Sequence, residues 1–198
     1  FIQNLSNLLN LDLSYNQMNR QILIRLNIAN FKNMKRLILI RVGLRSNDSI
    51  VFLNKLNLLE EFDLSENDFR KDDGVFMPHS RMIKILKLRN CNLKTIEDSF
   101  LNIMLYTKLE YLDLSYNHIK RFAVFGLEFL NFLDYLILSH NNISRFNLPK
   151  NFITLDLRFN RMNYFRSLFT LNLLINNNQL KNLSYGSGKY IHGSNNQF

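Results

Sequence analysis

The segment Leu109–Ile119 constrains the fold most, because its apolar residues follow neither a helical period nor a plain strand period. It reads LEYLDLSYNHI, with leucine or isoleucine at its first, fourth, sixth and eleventh positions. Alternation holds only over Leu112 and Leu114, which predicts a short strand with these side chains inside and Ser115 outside. Asn117 can turn the chain out of the sheet and hydrogen-bond buried backbone at the bend. The segment therefore predicts one turn of a solenoid.

The same frame recurs along the chain at intervals of 18 to 26 residues between its ninth positions. We call this ninth position the anchor; its occupants are Asn16, Val42, Asn67, Cys91, Asn117, Asn141, Asn160 and Asn178. The paired inner strand residues are Leu11/Leu13, Leu37/Leu39, Phe62/Leu64, Leu86/Leu88, Leu112/Leu114, Leu136/Leu138, Leu155/Leu157 and Leu173/Ile175. Stacked units of this kind bury one continuous apolar ribbon.

The pattern resembles the leucine-rich repeat family, whose motif is L-x-x-L-x-L-x-x-N/C-x-L. The resemblance covers nearly the whole chain. It implies an α/β fold, a right-handed horseshoe-shaped solenoid with a parallel concave β-sheet of about eight strands. We expect the array over residues 1–183, with a partial repeat at the N-terminus, and a decayed ninth repeat or a disordered tail over residues 184–198.

The last repeats are short, and the stretch RFNLPKNFITLDLRFNRM resembles repeats of Toll-like receptor ectodomains and of bacterial and insect immune proteins. A return segment of this length predicts extended or 3₁₀ structure and leaves no room for a helix of several turns. Because the chain opens in mid-repeat without a signal peptide, we expect it to be an internal piece of a longer protein. Neither end shows a cysteine-rich cap, so open sheet edges predict an oligomeric or poorly soluble fragment.

Two anchors depart from asparagine. Val42 has no side-chain hydrogen-bonding group, so the backbone beside it must find water or another partner. Cys91 stands where the family tolerates cysteine, and we expect a small buried thiol. Ile38 and Ile40 occupy outward strand positions, which predicts either an apolar patch or a cover over them. A group of phenylalanines in the return segment between repeats five and six is predicted to be core: Phe122, Phe125, Phe129 and Phe132.

Composition limits the classes of function. The 198 residues are 46% apolar and carry a net charge of +9, which permits a polyanionic partner without requiring one. One cysteine excludes a disulfide framework. The chain has no apolar run of 18 residues, so we expect no membrane span within it.

No constellation of catalytic or metal-binding residues is apparent. The histidines His79, His118, His140 and His192 lack a second ligand at metal-site spacing, and each is interpreted as a solvated surface residue. No nucleophile elbow, phosphate loop or dinucleotide fingerprint occurs. We therefore expect no enzyme, no metal and no cofactor.

Binding surfaces are better indicated. Outward positions in repeats five to seven cluster aromatic and charged residues on the expected concave face: Tyr111, Asp113, Tyr116, Tyr135, Ile137, His140, Asp156, Arg158 and Phe159. Tyrosine and arginine are enriched in binding hot spots, which favours a contact surface. The alternative is that Asp and Ser at strand positions are ordinary repeat consensus, as in the LDLS and FDLS of three repeats.

A second surface is a basic edge formed by the residue after the eleventh position, namely Arg45, Arg70, Lys94, Lys120 and Lys181, with Lys71, Arg121 and Arg145 beside it. It predicts either a polyanion site with salt-sensitive affinity or a solvated loop flank. Four sequons give candidate glycosylation sites at Asn4, Asn47, Asn142 and Asn182.

The resemblance thus implies a recognition module from an innate-immune-type receptor ectodomain, extracellular or at the cell surface. Its partner would be a protein or microbial ligand, and homo- or heterodimerisation is expected. The alternatives are a cytoplasmic repeat scaffold for protein–protein interaction, consistent with the lone cysteine, and a polyanion-binding repeat protein.

Overall fold

The computed structural model describes residues 5, 7–18, 20–45, 55–70, 80–96, 107–122, 130–148 and 150–197. Within them eleven strands form one continuous parallel array. In chain order they are β1 (Asn10–Asp12), β2 (Arg36–Ile38), β3 (Glu61–Asp63), β4 (Ile85–Lys87), β5 (Tyr111–Asp113), β6 (Tyr135–Ile137), β7 (Arg145–Leu148), β8 (Phe152–Asp156), β9 (Tyr164–Leu174), β10 (Ser184–Ser187) and β11 (Tyr190–His192). One short helix, α1 (Arg20–Arg25), and a 3₁₀ turn at Ile28–Asn30 occupy the first return segment.

The repeat strands pair in the predicted register. Nine strands form the main sheet in the order β1, β2, β3, β4, β5, β6, β8, β9 and β11. The first inner residue of each repeat lies opposite its counterpart in the next, running from Leu11 through Leu112 to Ile191. The predicted parallel solenoid is confirmed, and with it the placement of the motif on the strands.

Short return segments form a second, smaller parallel sheet near the C-terminus. The first half of β9 pairs with β7 and β10, while its second half pairs with β8 and β11 in the main sheet. The extended structure predicted for these short segments is confirmed. Residues 190–197 repeat the earlier geometry: Asn196 Nδ2 donates to the Ile175 carbonyl at 3.0 Å, and its Oδ1 accepts the Leu180 N–H at 3.2 Å.

The core is a ribbon of inner leucines backed by aromatic rings. Phe122, Phe146 and Phe165 are at most 5% exposed and stack with ring centroids 6.2 and 6.0 Å apart. The prediction that Phe132 belongs to the core is wrong, because it sits on the exposed turn before β6 and is 60% exposed. Phe125 and Phe129 lie outside the described residues. Ile38 is buried, so the outward isoleucine of the second repeat is covered.

Buried asparagines tie each turn to the one before it. At Asn117, Oδ1 accepts the N–H groups of Cys91 and Leu93 at 2.9 and 3.0 Å, and Nδ2 donates to the Leu88 carbonyl at 2.8 Å. The same cross-turn pair of bonds occurs at Asn67, Asn117, Asn141, Asn160, Asn178 and Asn196. These amides satisfy backbone groups that burial would otherwise leave without partners.

The two anchors without an amide use their own backbone instead. The carbonyl oxygen of Val42 accepts the Met18 N–H at 2.8 Å, and that of Cys91 accepts the Phe69 N–H at 2.9 Å. The Cys91 thiol also lies 3.3 Å from the Leu64 carbonyl, in donor geometry. Cys91 is fully buried, so the predicted small buried thiol is confirmed, and burial raises its pKa to about 12.

The residue before each anchor adopts a left-handed backbone conformation. The φ angles of these nine residues lie between 50° and 61°: Tyr15, Arg41, Glu66, Asn90, Tyr116, His140, Phe159, Asn177 and Asn195. In eight successive turns their N–H groups donate to a carbonyl of the next turn at 2.8 to 3.0 Å. This bend is therefore locked between turns, and it places one side chain per repeat in a regular row.

Candidate recognition surface

Three rings of that row stack in consecutive turns, and the guanidinium of Arg89, one residue before the row position Asn90, covers the first of them. The guanidinium carbon of Arg89 lies 3.9 Å from the ring centroid of Tyr116. The Tyr116 and His140 rings are 4.1 Å apart and inclined by 16°, and the His140 and Phe159 rings are 4.3 Å apart and inclined by 13°. We call Arg89, Tyr116, His140 and Phe159 the planar stack. Tyr116 and Phe159 remain more than 40% exposed, so the stack lies on the surface.

The planar stack follows from the fold and carries a conformational cost. Parallel turns repeat at about the distance between neighbouring strands, which brings side chains at one motif position close to stacking distance. A left-handed backbone costs a bulky residue roughly 1–2 kcal/mol, whereas Asn tolerates it more readily. Each ring pair returns about 0.5–1.5 kcal/mol. The two ring pairs therefore offset only part of the backbone cost of the three left-handed residues Tyr116, His140 and Phe159.

Burial lowers the pKa of His140, and the guanidinium groups of Arg158 and Arg89 act in the same direction, while the Asp156 carboxylate opposes them. The interpretation of His140 as a solvated residue is therefore wrong, because its ring is enclosed by Tyr116 and Phe159.

A tyrosine pair lies beside the stack on the strands themselves. The rings of Tyr111 and Tyr135 are 6.1 Å apart and tilted by 33°. Tyr135 is exposed, whereas Tyr111 is half-buried and desolvation raises its pKa. Ile137 lies half-buried next along β6. The aromatic residues predicted in repeats five to seven therefore form two contact groups, Tyr111 with Tyr135 and Tyr116 with His140 and Phe159.

Two predicted outward groups are covered. Asp156 is only 3% exposed, because Arg158 donates to it through Nε at 2.9 Å and NH2 at 2.8 Å. Ser115 is fully buried, since the Arg89 guanidinium lies 3.2 Å from its hydroxyl. Asp113 is half-buried and accepts the Ser115 N–H at 2.8 Å. The carboxylates of Asp113 and Asp156 therefore hydrogen-bond neighbouring groups and are not exposed on the surface.

Sequence reasoning missed an ion-pair network on strands β2, β3 and β4. Glu61 accepts from Arg36 at 2.8 Å and from Lys87 at 3.2 Å, and Glu60 bridges Lys35 and Lys84 at 3.1 and 3.0 Å. Opposite charges at one motif position in successive repeats were the available signal. The main sheet is thus charged in its first half and aromatic in its second half.

Comparison with known proteins agrees with this geometry. A family model described as leucine-rich repeat matches residues 107–120. The LRIM1/APL1C complex shares the fold over 99% of this chain and 41% of its own, with a TM-score of 0.76 and 20% identity. The chain has the fold of a leucine-rich repeat solenoid.

Two further leucine-rich repeat structures align with the solenoid. A leucine-rich repeat protein of Leptospira interrogans covers 97% of this chain and 62% of its own, with a TM-score of 0.58 and 19% identity. The ectodomain of the Arabidopsis thaliana membrane receptor kinase GASSHO1/SCHENGEN3, in complex with CASPARIAN STRIP INTEGRITY FACTOR 2, covers 96% and 31%, with a TM-score of 0.53 and 16% identity. At these identities the likeness establishes the fold alone. The solenoid spans less than two thirds of each of these relatives.

A search of curated proteins finds no match to the sequence. Among the described residues, no three His, Cys, Asp or Glu side chains are grouped to hold a metal. In the same part of the chain, no helix combines the length and apolar character needed to cross a bilayer.

The solenoid exposes the predicted basic edge. All five of its side chains are exposed: Arg45, Arg70, Lys94, Lys120 and Lys181. The N–H of Lys120 lies 3.4 Å from the Lys94 carbonyl, so these two belong to adjoining turns. Arg70 forms an ion pair with Asp68 at 2.9 Å, which reduces the charge at that point. Arg121 and Arg145 are also exposed, and Lys71 lies outside the described residues.

A polar groove of about 780 Å³ lies between the first four turns, near the Val42 anchor. Its walls include Tyr15, Arg41, Glu66 and Asp68. Of the sequons, Asn182 is exposed and Asn142 is half-buried, while Asn4 and Asn47 lie outside the described residues. The histidine His79 also lies outside them.

Proposed function

We propose that the solenoid is the ligand-recognition part of a longer, receptor-type extracellular protein, and that it binds a protein or microbial ligand through the aromatic half of its concave face. The observation that carries this proposal is the planar stack with the Tyr111–Tyr135 pair beside it. Rigid exposed aromatic rings supply large contact areas at low entropic cost. Aromatic and arginine side chains also supply most binding hot spots.

The rigidity of the surface supports the proposal. The backbone beneath the stack is hydrogen-bonded from turn to turn, and Asp156 and Asp113 hold the segments that follow their strands. Little conformational freedom is therefore left to lose when a partner binds. The charged side chains in the first half of the sheet form ion pairs with one another, so they attract a partner less strongly. The aromatic half is therefore the better site for anchoring a partner.

The extracellular assignment is supported by two observations. Structures similar to the solenoid include a receptor ectodomain with its bound factor and a complex of two proteins. Homo- or heterodimerisation is therefore part of the proposal. The short C-terminal repeats are consistent with a Toll-like or related innate-immune receptor. The sequon at Asn182 is exposed and accessible to glycosylation.

The parent transcript provides the test. A signal peptide upstream, with a cysteine-rich cap and membrane span downstream, is the expected result. A start codon without a leader and a cytosolic domain downstream would overturn the extracellular assignment. Expression through a secretory pathway gives a second reading, because glycosidase treatment should shift the mass at Asn182 and leave an Asn182→Gln variant unchanged at that site.

Two other functions predict different outcomes. A cytosolic scaffold would share the recognition surface but lack the leader and the glycans. A polyanion-binding protein would use the basic edge, whose exposed lysines are the observation in its favour. Binding that falls steeply with salt and survives substitution of Tyr135 would support the polyanion site.

A further inference from the structure

The planar stack is capped at one end and open at the other. Arg89 covers the outer face of Tyr116, whereas Phe159 borders a cavity of about 360 Å³. Phe159 is 45% exposed. The cavity is lined by Arg158, Phe159, Leu174, Asn176, Asn177 and His192.

The next turn continues the backbone of the row but not its rings. The Phe159 N–H donates to the Asn176 carbonyl at 3.0 Å. Asn177 therefore occupies, in the next turn, the motif position that Phe159 occupies in its own turn. Its amide is short, and its Oδ1 accepts a bond from Asn195 at 2.9 Å, in the following turn. No ring contact beyond Phe159 occurs in this row among the described residues. The cavity therefore borders Phe159 and Asn177, at the point where the row of stacked rings ends.

The charges around the cavity favour a neutral ring. Arg158 is the one lining residue with a permanent charge, and its guanidinium is compensated by two bonds to Asp156. Because no lining residue is acidic, a guanidinium or ammonium group would gain no ion pair, and it would lie close to Arg158. The Asp156 pairing also leaves little net charge to attract a carboxylate or phosphate.

The polar rim favours a ring that carries a hydroxyl group. The floor combines Phe159 with the apolar side chain of Leu174, while Asn176, Asn177 and His192 bring amide and imidazole groups to the edge. These groups can donate to and accept from a phenolic hydroxyl. An aromatic ring with one polar end suits such a site, and tyrosine is a frequent interface anchor.

We propose that this cavity takes the phenol ring of a tyrosine from a protein partner, stacked on Phe159 as the fifth member of the planar stack. The inference rests on the proposed function and names the partner residue that anchors there. The proposal excludes a cationic anchor, which is tested below with benzamidine.

The test is a titration of the ¹⁵N-labelled chain with p-cresol, the side chain of tyrosine, followed by amide shifts. A fragment of this size is expected to bind in the millimolar range. Shifts should centre on Leu174, Asn177 and His192. Phe159→Ala removes the platform and Asn177→Phe fills the cavity, so each should weaken binding at least about fivefold, a loss of roughly 1 kcal/mol.

Two features make the variants informative. Asn177 has φ 58°, and Tyr116 has the same φ, so a ring at position 177 fits the backbone. Tyr15→Ala is the matched control, because Tyr15 holds the same motif position, is 66% exposed and lines a different groove. It should bind p-cresol like the unmodified chain. If Phe159→Ala does not fold, Asn177→Phe still decides the question.

Three results would overturn the inference. They are shifts absent up to the solubility limit of p-cresol, tighter binding of the planar cation benzamidine, and unchanged binding in a folded Phe159→Ala or Asn177→Phe variant. Such a failure is distinct from failure of the proposed function, because the receptor assignment is read from the flanking sequence and the glycans.

Discussion

Asn117 binds two neighbouring turns through one side chain, and its removal should be costly. Asn117→Ala strips the buried N–H groups of Cys91 and Leu93 of their acceptor. We expect a loss of about 1–3 kcal/mol in the free energy of unfolding from a denaturant titration. Asn142→Ala is the control, since the bond from Asn142 to the Ile119 carbonyl uses its backbone. It should cost less than about 0.5 kcal/mol. Equal losses would show that the repeat register is wrong.

His140 should make stability fall as the pH drops below the ordinary histidine pKa of 6.5. Burial lowers its pKa in the folded chain, so the unfolded chain binds the proton more tightly. Stability is therefore full above the ordinary histidine value of 6.5 and declines as the pH falls through it toward the folded pKa. His140→Asn should flatten this part of the curve of unfolding free energy against pH. His118→Asn, at an exposed position, should retain the original slope. A stability that rises on acidification would contradict the enclosed imidazole.

Single residues divide into those whose role the sequence predicted and those it did not. The anchor asparagines were predictable, because one amide at a fixed spacing satisfies both a donor and an acceptor. The left-handed residue before each anchor was not, since Tyr15, Arg41, Glu66 and Phe159 share no chemistry that marks a positive φ. The burial of Asp156 was hidden too, because it depends on where the Arg158 side chain folds back.

At the scale of elements, strand register was predictable and the return segments were less so. Every repeat contributes an inner apolar pair, and pairing like with like leaves one register. The extended strands β7 and β10 depend on the short repeats lying side by side, which spacing alone does not specify. The planar stack also belongs to this scale. Tyr116, His140 and Phe159 were predicted on one surface, whereas Arg89 was not predicted, and the stacking of the rings depends on the locked turn.

The buried phenylalanine stack should be the strongest element behind the sheet. Phe146→Ala removes a fully buried ring that contacts Phe122 and Phe165, and should lower the free energy of unfolding by about 3–5 kcal/mol. Phe132→Ala, at a 60% exposed ring, should change it by less than about 0.5 kcal/mol. Thermal or urea unfolding of both variants makes the comparison. Similar losses would mean that Phe146 does not fill the core.

At the scale of the whole molecule, the net charge of +9 should give weak, salt-sensitive affinity for polyanions. We expect charge reversal of Lys94 and Lys120 to weaken binding to a DNA duplex and to lower the salt slope by about one unit per lost phosphate contact. Reversal of Arg36 and Lys87, which are paired with Glu61, is the matched control and should have a smaller effect on the slope. Titrations of each variant with the DNA duplex at several salt concentrations measure the salt slope. A larger effect at the paired residues would mean that the basic edge is not the anionic contact.

Photocrosslinking tests most directly the claim that the aromatic half of the concave face is the recognition surface. Benzoylphenylalanine would replace Tyr135 in one variant and Phe132 in another, because both rings are exposed, Tyr135 on strand β6 and Phe132 in the turn before it. Each variant would be irradiated with secreted proteins of the source organism. We expect a discrete adduct from position 135 and none from position 132. An adduct confined to position 132, or equal adducts from both, would contradict it.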